Sequence, residues 1–188
     1  MQNQEPSIKK LVSIFNKLFV SQENTRLQMG AAEPFYQASK NGNNAVIFAR
    51  EDYFSSALHE IAHWTIAGKE RRQEDDFGYW YESEGRTQQQ QLQFEQVEVK
   101  PQAIEWLLSL ACGQKFHLSA DNFFDDNCSG DKQSQNIVVS EQFKKSVSEQ
   151  MKSYFESGLP TRANQLLLQL CKKFRAGRPL SPDELANV

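Results

Sequence analysis

The stretch Ser56-Ala57-Leu58-His59-Glu60-Ile61-Ala62-His63-Trp64 decides how this chain is organised. It places two of the sequence's 3 histidines four residues apart around a glutamate. On an α-helix such residues lie one turn apart on the same face, so His59 and His63 can direct their imidazoles to one point. That point is a predicted metal position, and Glu60 is the candidate catalytic residue that takes a proton from a metal-bound water.

The residues around this motif predict a helix with one buried flank. At about 100° per residue, apolar side chains collect on one side and the two histidines lie along its edge. The apolar side consists of Phe54, Leu58, Ile61, Ala62 and Thr65. A buried strand is predicted just before the helix, over residues 45–49, and Gly68 is expected to cap the C-terminus of the helix.

Hydrophobic periodicity predicts helices along most of the remaining chain. The first covers residues 8–19, and a long one covers residues 87–113, with Pro101 as a kink or as the first turn of a second helix. Two more are expected over residues 141–156 and 161–175, with short strands or turns at residues 116–118 and 137–139. The predicted fold class is therefore α+β, mainly helical, with a few short strands.

The length of 188 residues suits one well-filled core. We expect a single domain over residues 1–188. Its parts would be a metal-site core at about residues 45–125, a helical C-terminal part at about 140–176, and a tail at 179–188.

Composition limits the partners and the compartment. The net charge of −3 argues against direct nucleic-acid binding, which usually needs a strongly basic face. No run of about 20 apolar residues or signal-peptide pattern is present, so no membrane association is expected. Cys112, Cys128 and Cys171 are too widely spaced for a sulfur-ligated metal site and are expected to be reduced thiols. These features favour a cytoplasmic protein.

A polar stripe runs along the long predicted helix. Its members follow a three-and-four spacing and are Gln91, Glu95, Glu98, Gln102 and Glu105. Such a stripe is commonly a solvated face, but the rest of the element is apolar and the two histidines need an anionic partner. Glu98 is the preferred third metal ligand because it is central in the stripe. Glu95 is the alternative ligand, and Glu105 and the isolated His117 are less favoured.

Two histidines and one carboxylate leave the metal open. They suit zinc in hydrolases, and they equally suit the facial triad that holds ferrous iron with positions free for oxygen. The metzincin pattern is excluded, because Ile66 and Lys69 stand where that group has glycine and histidine. A gluzincin-like zinc metallopeptidase, with Glu60 as general base, remains an alternative, as does a binding module with a structural metal.

A dense aromatic run follows the motif helix. Tyr79 and Tyr81 could line a substrate cleft, or they could alternate in an ordinary hairpin strand. The residues give these two interpretations equal support.

Several blocks together resemble the elongation factor P hydroxylase family, and they spread over most of the chain. They are His59-Glu60-Ile61-Ala62-His63-Trp64, Ile66-Ala67-Gly68-Lys69, Arg71-Arg72, Asp76-Phe77-Gly78-Tyr79-Trp80-Tyr81, Phe94-Glu95 and Val97-Glu98-Val99-Lys100-Pro101-Gln102-Ala103. Asn24-Thr25-Arg26-Leu27, Glu33-Pro34 and Asp121-Asn122 agree as well. The family's Pro-Asp-Gly-Arg is replaced by Ser83-Glu84-Gly85-Arg86, and the C-terminal helices match least.

This resemblance implies a hydroxylase that acts on the modified, lysylated lysine of translation elongation factor P. It implies a metal centre of His59, His63 and Glu98 on a zincin-like helix pair, with Fe(II) as the expected metal, Zn or another divalent ion possible in purified protein, and molecular oxygen as co-substrate. Elongation factor P would be the partner. Three acidic residues near the aromatic run, Asp76, Glu82 and Glu84, are candidates to receive a cationic lysyl arm.

Overall fold

The structure, a computed structural model, describes residues 7–50, 53–78, 87–119 and 140–186. It opens with helix α1 at Ile8–Glu23, which buries Leu11, Phe15 and Phe19 on one face. Asn24 ends the helix in the left-handed conformation, and its amide donates to the carbonyl of Phe19. The first predicted helix is confirmed.

A small three-stranded sheet follows α1. Its strands are β1 at Thr25–Ala31, β2 at Phe35–Gln37 and β3 at Ala45–Arg50, in the order β1-β3-β2. β3 is central, parallel to β1 and antiparallel to β2. The continuous apolar run predicted this buried strand correctly. The two flanking strands were not predicted, because β1 alternates buried and exposed residues only at its start and β2 has three residues.

Asn16 connects α1 to the edge of this sheet. Its side-chain amide donates to the carbonyl of Leu27 at 3.1 Å and accepts from the amide of Leu27 at 2.7 Å. One side chain thus takes the place of a neighbouring strand at this residue of β1. The contact blunts a sheet edge that would otherwise offer free backbone groups.

Helix α2 at Phe54–Ile66 carries the two-histidine motif, as predicted. Its buried residues include Leu58, Ile61 and Ala62, and Trp64 packs edge-on against Phe15 and Phe19 of α1. The helix ends at Ile66 with Ala67 as its C-cap residue, so the predicted Gly68 cap is wrong. Gly68 lacks the positive φ of such a cap.

Helix α3 at Gln88–Cys112 is one helix of 25 residues with Pro101 inside it. A second helix beginning at Pro101 is therefore not seen, and a kink there stays a prediction. Thr87 and Gln90 form a capping box at the N-terminus, and Gly113 closes the C-terminus with φ 71°. Beyond it, the strand considered for residues 116–118 does not form: His117 is exposed in irregular chain, and Phe116 stacks on Trp106.

The C-terminal helices pack against the helices that carry the motif and the polar stripe. Helix α4 at Glu141–Ser157 and helix α5 at Thr161–Phe174 match the predicted pair, and both contact α3. Helix α6 at Pro182–Ala186 corrects the expected tail, because Leu180 and Leu185 are buried in the core. The strand predicted at residues 137–139 lies outside the described residues.

The α+β, mainly helical fold class is confirmed, with α2 and α3 as the helix pair at its centre. Within the described ranges, none of the helices combines the length and apolar character that crossing a bilayer requires.

Candidate metal centre

The paired helices α2 and α3 bring His59, His63 and Glu98 together. One ligand atom from each lies within 4.8 Å of the other two. The Nε2 atoms of the histidines are 3.2 Å apart, and His63 Nε2 lies 3.2 Å from Glu98 Oε1. His59 Nε2 lies 3.8 Å from Glu98 Oε2. The one-turn spacing on α2 and the central position of the glutamate on α3 thus meet at one point.

These spacings suit a metal ion. Ligand atoms about 2.0–2.2 Å from one ion lie roughly 3.0–3.5 Å apart when their bond angles are between about 90° and 110°. The three separations fall in or close to that range, with the two to Glu98 measured from different oxygens of its carboxylate. The donors, two imidazoles and a carboxylate, also match zinc or ferrous iron. The residues present therefore fit a divalent metal.

Glu105 fixes the orientation of His59. Its Oε2 lies 2.9 Å from His59 Nδ1, and Glu105 stands about two helical turns beyond the ligand carboxylate on α3. A hydrogen on Nδ1 donated to this carboxylate leaves the lone pair on Nε2, which faces His63 and Glu98. A carboxylate that holds the second nitrogen of a histidine in this way is the usual outer partner of a metal ligand.

The electrostatic field at this point favours a cation. Burial lowers the pKa of the His59 imidazole, but the hydrogen bond to Glu105 and the charges of Glu98 and Glu60 outweigh burial, so the pKa lies well above 6.5. In the absence of a metal the centre thus attracts a proton. A divalent ion satisfies the same field with twice the charge.

Glu98 is held in its ionised form. Burial raises the pKa of this carboxyl, but His63, His59 and the amide of Gln102 outweigh it and lower the pKa to about 2. Gln102 Nε2 donates to Glu98 Oε2 at 3.2 Å and to the carbonyl of Ser119 at 2.7 Å, and Gln102 Oε1 accepts from the Ser119 amide. The fully buried amide thereby ties the ligand carboxylate to the chain after α3.

The polar stripe faces inward. Its central members are buried, with relative exposures of 7% for Glu95, 2% for Glu98, 0% for Gln102 and 6% for Glu105. On a solvated face these side chains would be exposed. The stripe therefore supplies one carboxylate to the ligand group and two side chains that orient it.

The alternative ligands lie elsewhere. Glu95 accepts a hydrogen bond from Ser140 Oγ at 2.7 Å, and Ser140 caps the N-terminus of α4. The carboxylate of Glu95 thus joins α3 to α4. His117 is exposed after α3 and is not part of the ligand group. Neither residue takes the place considered for it in the sequence.

The predicted substrate-binding residues are only partly described. Asp76 is half-buried. Its Oδ1 accepts the amide hydrogen of Tyr36 at 2.8 Å, so it satisfies a backbone donor of β2. This gives Asp76 a structural role, and its substrate role stays a prediction. Tyr79, Tyr81, Glu82 and Glu84 lie outside the described residues.

Two positioning residues were not identified in the sequence. Glu105 was considered only as a remote ligand, and Gln102 only as a member of the stripe. The signal was the spacing itself, because residues four and seven positions after Glu98 return to the same helix face. Periodicity shows a shared face but does not tell a ligand from its hydrogen-bond partner.

Replacing Glu105 tests its orienting role. We expect Glu105→Leu to lower metal affinity by about 10–100-fold, because the Nδ1 hydrogen of His59 loses its acceptor. Glu105→Gln keeps an acceptor oxygen without the charge and should retain more of the affinity. Competition against a chromophoric chelator measures both. Wild-type affinity in the leucine variant would show that His59 needs no such partner.

Comparison with known proteins places this arrangement in context. Residues 14–184 match the model of the family described as EpmC, elongation factor P hydroxylase. The chain is also 48% identical over 164 residues to the elongation factor P lysine hydroxylase of Haemophilus influenzae, covering 86% of each chain. The matched region includes both helices that form the candidate centre.

Proposed function

From the premise that this chain belongs to the elongation factor P hydroxylase family, we propose that His59, His63 and Glu98 hold the metal ion at which its hydroxylation takes place. The observation that carries this proposal is the convergence of their ligand atoms within 4.8 Å. The reaction is the hydroxylation of elongation factor P on a lysine side chain, the activity of the 48% identical relative. Its substrate form would be the lysylated lysine.

Iron is the metal that best reconciles the donors with this reaction. Two imidazoles and one carboxylate form the ligand set of ferrous oxygenases, and an ion so bound keeps open positions where dioxygen can be activated. The side chains of His59 and His63 keep 21% and 15% exposure, whereas Glu98 keeps 3%. The accessible side of the centre is therefore that of the histidines, where oxygen and the substrate would approach.

The chain's own residues have distinct tasks in this proposal. Glu98 and the histidines bind, Glu105 and Gln102 orient two of those ligands, and Glu60 moves a proton. Glu60 follows His59 on α2 and acts electrostatically on its imidazole. We propose that its carboxylate receives or returns a proton at the centre.

The gluzincin-like peptidase is not favoured by the comparisons, which both describe hydroxylases. Oxygen separates the two reactions in a single experiment. Protein is purified anaerobically, loaded with Fe(II) or Zn(II), and incubated with lysylated elongation factor P with and without oxygen. The mass of the substrate is then measured by mass spectrometry. A two-electron reductant such as ascorbate is present in every arm, because the second atom of dioxygen must leave as water. We expect the gain of one oxygen atom only when iron, oxygen and the reductant are all present. Oxygen-independent cleavage by the zinc form would instead support the peptidase.

A partner and a location follow from the substrate. Elongation factor P is the macromolecule that must reach the metal centre, and we propose that the enzyme works in the cytoplasm, where translation factors act. Neither direct nucleic-acid binding nor membrane attachment is part of this proposal.

A further inference from the structure

A cavity of about 720 Å³ opens beside the candidate metal centre. His63 is one of its lining residues, so the space reaches the edge of the ligand group. Val97 and Pro101 of α3, Tyr154 of α4 and Pro160 also line it. The cavity therefore lies between the C-terminus of α2, the middle of α3 and the junction of α4 with α5.

Three cationic residues stand around this cavity. They are Lys69, Arg71 and Lys100, which we term the basic rim. Among the described residues that line the cavity, Glu70 is the one carboxylate. All four are exposed. Within the described ranges neither Lys69 nor Lys100 has an ion-pair partner, whereas Arg71 donates to the carbonyl of Phe77. The excess of positive charge is local, since the whole chain has a net charge of −3.

A protein substrate has to cover this region. For a side chain to reach the metal from the exposed histidine side, the protein surface that carries it must lie against residues around the opening. His63 belongs to the ligand group and also lines the cavity. The basic rim, which lines the same cavity, therefore lies among the residues around the opening. Whatever surface docks there meets two lysines that have no ion-pair partner among the residues that the structure describes.

We infer that the basic rim docks an acidic patch on the surface of elongation factor P next to its modified lysine. This inference rests on the proposed function and names the chemistry of the surface recognised. Opposite charges at the edge of an interface chiefly speed association and select the partner. Val97, which is 38% exposed on the cavity wall, adds an apolar contact inside the charged edge.

The lysyl arm itself is a poor occupant for the rim. The arm carries amines, and like charges at short range repel. The arm must then enter from another side of the centre, with the rim holding the acidic patch beside it. The substrate then presents a cationic arm next to acidic side chains. A site that is basic on one side attracts the acidic side chains there and so orients the arm toward the other side.

Charge reversal tests the docking surface. Steady-state hydroxylation of lysylated elongation factor P is followed by mass spectrometry at several substrate concentrations for Lys69→Glu/Lys100→Glu. We expect KM to rise about tenfold or more while kcat changes less than about twofold, because the electrostatic attraction is lost before the chemical step. The KM of the wild type should also rise with salt, and that of the variant should not.

Lys9→Glu/Lys10→Glu is the matched control. Both lysines are exposed in the first turn of α1, where glutamate suits the helix dipole, and the change in net charge is the same. Equal KM values in the two double variants would overturn the inference. A fall in kcat at unchanged KM would also overturn it and assign the cavity to a small anion. Absence of hydroxylation by the wild type would instead contradict the proposed function itself.

Discussion

Glu98→Ala is expected to abolish hydroxylation, lowering turnover by more than about 100-fold, because the proposed metal centre loses its carboxylate ligand. The carboxylate is buried, ionised and within 3.2 Å of His63 Nε2, so no solvent molecule can take its place without rearrangement. Metal content after gel filtration should fall together with activity. Mass spectrometry of the substrate and elemental analysis of the protein measure both effects.

Glu95→Ala is the control for this substitution. It removes a buried carboxylate from the same helix face, but one that binds Ser140 at the start of α4. We expect it to keep metal and activity and to cost about 1 kcal/mol of stability, the usual effect of weakening a helix cap. Full hydroxylation by Glu98→Ala, or loss of metal from Glu95→Ala alone, would contradict the choice of ligand.

Arg162→Met is expected to lower the free energy of unfolding by about 2–4 kcal/mol, the largest stability effect that we predict. One guanidinium nitrogen donates to the carbonyls of Trp64, Thr65 and Ala67 at 3.1, 3.1 and 2.6 Å. The same guanidinium lies 4.9 Å from the centre of the Trp64 ring. It thus holds the C-terminal end of α2 from α5, and methionine keeps only the apolar stem.

Urea denaturation measures this effect as a lower midpoint at an unchanged slope. Lys173→Met provides the comparison, because Lys173 is exposed on the same helix and should change stability by less than about 0.5 kcal/mol. Arg162→Lys should fall between the two, since an ammonium keeps the charge but not the planar fork of donors. Identical midpoints for Arg162→Met and wild type would show that α2 needs no support from α5.

Helices α1 and α5 were predictable because each has a strong period. Leu11, Phe15 and Phe19 recur on one face of α1, and α5 repeats the pattern with Leu166 and Leu170. Strands β1 and β2 were not predictable, because their partners are set by the central strand and not by local pattern. The tail predicted at residues 179–188 was wrong for a similar reason. Leu180 and Leu185 are buried by contacts with the core, which the local sequence pattern does not show.

The site likewise has features that the sequence could predict and features that it could not. The spacing of His59 and His63 fixes their common direction on any helix, so their convergence was foreseeable from the sequence alone. The choice of Glu98 needed the polar stripe, and the structure places it where both histidines point. The tasks of Gln102 and Glu105 depend on distances across the helix pair, which no single-helix pattern contains. The single-domain organisation over residues 1–188 stays a prediction.

The tight packing of Trp64 gives the chain an optical reporter. Of the 3 tryptophans in the sequence, Trp64 directly follows His63 and Trp106 directly follows Glu105. Both indoles are buried, with exposures of 0% and 9%, so their emission reflects the protein interior and not the solvent. Unfolding would expose both indoles to water and shift that emission. Denaturation of the enzyme can thus be followed continuously by intrinsic fluorescence, without a label or a turnover assay.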